Sequence, residues 1–276
     1  MLIPFTSIMQ GVSVSYIVST MDRSDLHFID EIFSDVIFDE IEYEIIVVNQ
    51  SKQYSIPGSF PKITIVNTQD TGLSKSRNLG LRYASFEIVH FLDDDVKVDS
   101  RVQTVYHYLL KSEASVVTGI MLNHAFQESK DYKKNFFSHN YFSIMRVSSM
   151  ECLFKKEVFS KGIRFREDFG LGSKRYQTGE ENILLSDCLK LDFKVEFVPL
   201  PTVIHDDSLR DNARYVSLDM MEANGAVFSK IYGKLLSIII SFIWLGRKLI
   251  VPKSKFSLFI KSYCFYEKSI CKVLND

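Results

Sequence analysis

Three consecutive aspartates, Asp93, Asp94 and Asp95, follow the apolar run of residues 88–92 directly. Adjacent carboxylates repel one another and are costly to remove from water, so a cation or a set of donors is needed to hold them at the end of a buried strand. Ligands of α/β sheets bind at the carboxyl ends of the strands. The triplet therefore predicts a divalent cation that binds a diphosphate. A solvated turn with an aspartate capping the next helix is also consistent with it.

A second candidate site is the segment from Gly72 to Gly80, which reads Gly-Leu-Ser-Lys-Ser-Arg-Asn-Leu-Gly. It combines a flexible loop, a predicted helix start and two cations, Lys75 and Arg77. Helix N-termini favour anions, and a guanidinium group suits a two-pronged phosphate contact. Taken alone, the segment fits a surface helix with ordinary basic residues better.

The third candidate is Glu181, which follows a glycine-rich stretch at residues 162–179. A carboxylate at the end of a mobile loop suits a general base. The same region fits a capping box, in which Thr178 and Glu181 satisfy backbone groups at the start of a helix.

The fourth candidate is His205, which closes a predicted strand and precedes two aspartates. A histidine beside carboxylates is a candidate metal ligand. The glycine fingerprint of dinucleotide-binding proteins and the P-loop are both absent after the first strand. We therefore expect a metal, rather than a glycine-rich turn, to hold phosphate.

The apolar pattern predicts strands and helices that alternate, with short connections, up to about residue 120. Strands are predicted at residues 12–18, 45–48, 63–66, 88–92 and 116–118, and helices at 24–33, 74–84 and 102–110. After an irregular insertion at 123–140, we expect a strand within 142–154, a helix at 180–190, strands at 194–198 and 202–204 separated by Pro199 and Pro201, and a helix from Asp207. This order predicts a parallel sheet covered on both faces.

The charge distribution divides the chain of 276 residues. Residues 230–276 hold nine Lys or Arg and two acidic residues, a net charge of +7, whereas the whole chain carries −1, which leaves −8 for residues 1–229. We expect a domain at 1–229 and a basic, hydrophobic helical region at 230–276 that contacts an anionic membrane. A helical hairpin packed on the domain or on a second copy is the alternative.

The four cysteines form no Cys-x-x-Cys pair and indicate reduced thiols in a reducing compartment. We see no secretory signal and no apolar run of about 20 residues that would span a bilayer. The expected location is therefore cytoplasmic, at the inner face of the plasma membrane, and we expect no nucleic-acid partner.

Taken in order, the motifs resemble glycosyltransferase family 2, the inverting enzymes with the GT-A fold. The likeness spans about residues 12–206 and rests on Ser19-Thr20-Met21-Asp22-Arg23, Val48-Asn49-Gln50-Ser51, Gly72 to Gly80, Phe91-Leu92-Asp93-Asp94-Asp95 and Gly179-Glu180-Glu181, followed by His205. Two of these motifs depart from the family pattern. Asn49-Gln50 replaces two acids that often read the nucleobase, so UDP is not fixed as the donor, and Asp22 stands where Asn is common.

The resemblance implies an α/β fold of the GT-A type, with a Rossmann-like, mostly parallel sheet, helices on both faces and a C-terminal helical appendage. It implies that a sugar moves from a nucleotide-sugar donor to a hydroxyl, with Mn²⁺ or Mg²⁺ as cofactor. It implies Glu181 as general base and Glu180 as the residue that orients the acceptor. Asp95 and His205 are implied as metal ligands, and the implied donor contacts are Ser19, Thr20, Asn49, Arg77, Asp93 and Asp94.

The basic, aromatic tail would suit a lipid-linked acceptor, such as the polyprenyl-diphosphate oligosaccharides of bacterial surface polysaccharide or O-antigen synthesis. A non-catalytic nucleotide-sugar-binding or scaffold protein with this fold is the rival interpretation, and a nucleotidyltransferase is a weaker one. The sequence does not determine the sugar, the acceptor, the linkage or the oligomeric state.

Overall fold

The computed structural model of the protein describes residues 11–205 and 218–248. Nine strands of these residues form one sheet: β1 (Val12–Met21), β2 (Ile41–Gln50), β3 (Ile63–Thr68), β4 (Ile88–Asp93), β5 (Lys97–Val98), β6 (Val116–Leu122), β7 (Phe137–Ser138), β8 (Cys152–Lys155) and β9 (Val195–Ile204). Their order is β3-β2-β1-β4-β8-β6-β9-β5, with β7 also paired to β9. The first four strands are parallel, and β8 runs antiparallel between β4 and β6. The mostly parallel sheet that the family resemblance implied is confirmed.

Helices cover both faces of this sheet, as predicted. They are α1 (His27–Ile32), α2 (Leu73–Gly80), α3 (Val102–Lys111), α4 (Glu157–Ser160), α5 (Glu180–Lys190) and α6 (Leu218–Lys248). Helices α1 and α3 contribute to the apolar core on one face, and α2, α4 and α5 to the core on the other. Because both faces are buried, the central strands are continuous apolar runs rather than alternating ones.

Helix α2 approaches the sheet closely at its last residue, Gly80. A Cβ atom at this position would clash with Ile17 of β1 and lie 3.3 Å from Val48 of β2. Only glycine permits this approach, which brings the start of α2 near the ends of both strands. The helix ends at Gly80, before the predicted end at residue 84.

Strand β9 corrects one prediction. We expected two strands separated by Pro199 and Pro201, but the structure has one continuous strand through both prolines. The register of β9 against β6 shifts twice between Thr118 and Met121. Prolines, which cannot donate a ladder hydrogen bond, are tolerated in such irregular positions.

The segment between β6 and β8 is largely irregular, as predicted for residues 123–140. Its short strand β7 pairs antiparallel with the first half of β9. The strand expected within 142–154 is confined to its end, because 3-10 turns occupy Ser143–Arg146 and Ser149–Glu151 before β8 begins.

Helix α6 packs on the domain with its first half. Its side chains Ala223, Ala226 and Val227 are buried together with Ile183 of α5. The prediction of a helix from Asp207 falls partly on residues 206–217, which lie outside the described residues, as do 249–276. Among the described helices, none combines the length and the apolar character required to cross a membrane.

The two described cysteines, Cys152 and Cys188, are buried and free. Burial raises the pKa of the Cys188 thiol to about 12. Both are neutral core thiols, as the sequence indicated.

Candidate active site

Three of the predicted motifs meet at one edge of the sheet. The parallel register places Ser19 opposite Asp93 and Thr20 opposite Asn49. The carboxyl ends of β1, β2 and β4 therefore form one floor. The alternative that the triplet caps a helix is wrong, because strand β5 follows it and α3 begins only at Val102.

Asp94 is fixed to the turn that follows β1. Its Oδ2 atom accepts hydrogen bonds from Thr20 Oγ1 at 2.6 Å and from Arg23 Nε at 2.9 Å. Arg23 was not among our predicted site residues. Its place as the last residue of the turn motif that begins at Ser19 could have indicated that it belongs to the site.

Asn49 and Gln50 use their amides to hold backbone carbonyls. Asn49 Nδ2 donates to Arg23 O at 2.9 Å, and its Oδ1 accepts from Arg23 N at 3.2 Å. Gln50 Nε2 donates to the carbonyls of Asp70 and Gly72 at 2.8 and 3.0 Å. A carboxylate cannot donate to a carbonyl. The two amides that replace the family's acids therefore have a structural reason, and Asn49 is buried beneath the turn.

The glycine-rich stretch, which we expected to be a mobile loop, is fastened to the start of α2. Ser74 Oγ donates to Phe169 O at 2.7 Å, and Leu73 N donates to Leu171 O at 2.9 Å. The same helix is linked to β1, because Ser76 Oγ donates to Ser19 Oγ at 2.8 Å. These bonds hold Ser19, α2 and the loop as one unit.

Arg77 lies beneath the site with none of its side chain exposed. Its Nη1 donates to Glu180 Oε1 at 3.0 Å and its Nη2 to Asp93 Oδ1 at 3.1 Å. Burial alone would lower the pKa of Arg77, but the charges of nearby carboxylates, Asp93 foremost, raise it above its ordinary value, so the guanidinium stays charged. Arg77 therefore joins β4 to α5. Its burial contradicts the alternative of a surface helix with ordinary basic residues.

Helix α5 presents the two glutamates. The capping box that we considered is not formed, because the helix begins after Gly179, a residue with φ of 91°, without a side-chain cap. Glu180 is buried against Arg77, whereas Glu181 is partly exposed. Burial, and then the negative charge of Glu180, raises the pKa of Glu181 to about 8. Such a carboxyl group can accept a proton near neutral pH.

Asp95 and His205 converge on the solvent side of the floor. The pairing of β5 with β9 sets Lys97 opposite Ile204, and His205 Nε2 lies 3.4 Å from Asp95 Oδ2. The side chain of Asp95 is 68% exposed. The hydrogen bond from His205 lowers the pKa of Asp95, so the carboxylate is ionised.

An imidazole and a carboxylate are suitable ligands for a divalent cation. Within residues 11–205 and 218–248, no group of three or more His, Cys, Asp or Glu side chains is arranged to hold a metal. The structure thus brings together two side chains of suitable chemistry, Asp95 and His205.

Solved structures of S. aureus TarS share this fold. The structure of TarS 1-349 with UDP-GlcNAc matches with a TM-score of 0.60 at 14% identity, over 94% of this chain and 81% of that one. The structure with UDP gives 0.57 at 13% identity, over 93% and 80%. A longer TarS structure gives 0.59 at 14% identity over 93% of this chain, which spans about half (49%) of that TarS chain. These likenesses show the fold alone.

The architecture is an α/β fold of the GT-A type. The model of the family described as Glycosyl transferase family 2 matches residues 15–167, more than half of the chain. The chain therefore belongs to glycosyltransferase family 2. The match includes the motifs up to Asp95 but ends before Glu180, Glu181 and His205. No curated protein shows significant similarity to the chain.

Replacing Arg77 with Met should lower the free energy of unfolding by about 3 kcal/mol, because the buried Glu180 and the partly buried Asp93 lose their counter-charge. Adding Glu180→Gln should restore part of that loss. Urea unfolding monitored by circular dichroism measures both effects.

The matched control is Arg166→Met, which breaks an exposed pair with Asp168 and should change stability by less than about 1 kcal/mol. Equal losses in the Arg77 and Arg166 variants would show that the buried bridge is not needed.

Proposed function

We propose that the protein transfers a sugar from a nucleoside diphosphate donor to an acceptor hydroxyl with inversion at the anomeric carbon. The observation that carries the proposal is the buried guanidinium of Arg77, which holds Asp93 and Glu180 at a fixed spacing. Positioning of this kind supplies much of the rate in two-substrate reactions. The complexes of TarS with UDP and UDP-GlcNAc support a nucleotide-sugar donor.

In this proposal, Glu181 is the general base. It takes the proton of the acceptor hydroxyl while the oxygen bonds to the anomeric carbon and the bond to the diphosphate breaks. Because attack comes from the face opposite the leaving group, the configuration inverts in one step. Glu180 positions the start of α5 through Arg77, and its charge raises the pKa of Glu181.

The donor would lie on the floor formed by β1, β2 and β4. Ser19 and Thr20 border it, Asp93 would face the ribose and the donor sugar, and Asn49 and Asp94 support the turn beside it. Asp95 and His205 would hold Mn²⁺ or Mg²⁺, which when bound supplies positive charge for the departing diphosphate.

The acceptor in this proposal is a lipid-linked oligosaccharide of bacterial surface polysaccharide synthesis, reached at the inner face of the plasma membrane. Beyond Gly233, which interrupts α6 with φ of 74°, the side chains of Leu235 and Ile239 are exposed. Arg247 and Lys248 and a basic, aromatic sequence follow. Exposed apolar residues next to cations suit the surface of an anionic bilayer.

Glu181→Gln should lower turnover by roughly 10²–10⁴-fold, because the amide cannot take the acceptor proton. Donor binding should be unchanged. Single-turnover assays and calorimetry with UDP measure the two effects.

Asp187→Asn, a change on the same helix near its other end, is the control and should keep full activity. Full activity in the Glu181 variant as well would discard its role as base.

The pH dependence should follow the raised pKa of Glu181. The base acts when deprotonated, so kcat/KM should rise roughly tenfold per pH unit below about 8 and level off above it. Glu180→Gln should move this rise to lower pH, because it removes a charge that raises the pKa. A rise centred near pH 4.5 in the wild type would contradict the proposal.

Asp95→Ala should abolish the effect of Mn²⁺ on donor binding. In the wild type, Mn²⁺ should tighten UDP binding at least about tenfold, since the cation is shared between protein and diphosphate. Calorimetry with and without Mn²⁺ measures this in both proteins. If the variant kept the full effect, the cation would have to be held by other residues.

Ending the chain after Tyr232 should release the protein from anionic vesicles. This change keeps the part of α6 that packs on the domain and removes the exposed Leu235 and Ile239 together with the basic sequence that follows. Co-sedimentation with phosphatidylglycerol vesicles, compared with neutral vesicles, measures binding. Leu235→Ser with Ile239→Ser in the full chain should weaken it in part. Unchanged sedimentation of the shortened protein would contradict membrane contact.

A further inference from the structure

A cavity of about 380 Å³ lies between the segment after β6 and the sheet. One wall is aromatic. The ring of Phe197 lies parallel to that of Tyr132, with 6.1 Å between the ring centroids, and its centroid is 5.1 Å from that of Phe137. Phe136 also lines the cavity, and its side chain is 54% exposed. The exposed ring of Phe136 suits the C–H face of a sugar ring, and the volume lies at the small end of ligand pockets.

The charges around the cavity leave a positive surplus. Lys130 Nζ lies 2.6 Å from Glu151 Oε1, and Lys134 Nζ lies 2.7 Å from Glu128 Oε1, so these two lysines are neutralised.

The remaining charged lining residues are Lys133 and Arg146 against Asp131. Within the described part of the chain, Lys133 forms no ion pair, and Arg146 donates to the backbone carbonyl of Asp131 at 2.9 Å. The rim of the cavity therefore favours an anionic group.

The wall of the cavity is attached to the residue that follows the proposed base. Asn182 Nδ2 donates to Ile144 O at 2.8 Å and to Val147 O at 3.4 Å. Val147 and its neighbour Arg146 both line the cavity. The wall of the cavity is therefore linked to the first turn of α5, the turn that also carries Glu181.

We propose that this cavity binds a sugar ring of the acceptor that carries an anionic group, a carboxylate or a phosphate. The proposal rests on the proposed function, since it assigns the cavity to the acceptor of that reaction. The aromatic wall would receive the ring, and Lys133 and Arg146 would receive the anion.

The test uses the full chain and a panel of methyl glycosides of gluco, galacto and manno configuration, each as the neutral sugar, the uronate and the 6-phosphate. Saturation-transfer NMR titrations give their relative affinities. At least one anionic sugar should bind at least about fivefold more tightly than its neutral counterpart, and the better anion identifies the acceptor group. Lys133→Glu and Arg146→Gln should each remove most of that preference, and Phe136→Ala should weaken charged and neutral sugars alike.

Lys161→Glu, at an exposed lysine after α4, is the matched control and should leave the preference intact. Thermal melting of each variant establishes that it is folded. Equal binding of charged and neutral sugars, no binding of any sugar, or a preference that survives both the Lys133 and Arg146 changes would overturn the proposal.

Calorimetry of the same wild-type sample with UDP and Mn²⁺ separates this proposal from the proposed function. UDP binding without any anionic preference overturns the cavity assignment alone. Anionic sugar binding without UDP binding keeps the cavity as a sugar site but overturns its place in the proposed transfer.

Discussion

The ion pairs of the buried Arg77 are the interaction on which the site depends. A buried guanidinium without partners would be strongly destabilising, and so would the carboxylates facing it. Paired, the opposite charges offset one another's cost of burial. Arg77 and Glu180 are 103 residues apart in the chain, so this pair joins distant segments. The ring of Phe165 lies against the guanidinium, with its centroid 5.3 Å from Cζ. This one cluster therefore fixes α2, β4 and α5 relative to one another, and the remaining parts of the site are attached to these elements.

Hydrogen bonds from neutral side chains extend this arrangement to the donor side. Asn49 and Gln50 hold the carbonyls of neighbouring loops, which acidic side chains at these positions could not do. The negative charge on this side of the floor is supplied instead by Asp94, whose position is set by Thr20 and Arg23. In the proposed function, recognition of the nucleobase therefore has to use groups other than a carboxylate at position 49 or 50.

Local sequence patterns predicted many of the elements that form the site. The apolar run before Asp93 gave the strand end, and the helix at 180–190 has the bounds that we expected, because both depend on neighbours in sequence. The burial of Arg77 was not predictable, since its partner Glu180 is distant in the chain. The continuity of β9 through two prolines was also missed, because it depends on pairing with β6, which is distant in the sequence.

Three consecutive residues at the start of α5 connect the parts of the proposed reaction. Successive side chains on a helix point about 100° apart, so neighbours in sequence reach different surroundings. Glu180 contacts Arg77 and through it the donor floor, while Asn182 holds the wall of the cavity assigned to the acceptor. Glu181 lies between them, and its pKa is raised by burial and by the charge of Glu180. Environments that separate the roles of two adjacent carboxylates are typical of acid–base sites. One helical turn thus sets the position and the basicity of the group that would activate the acceptor.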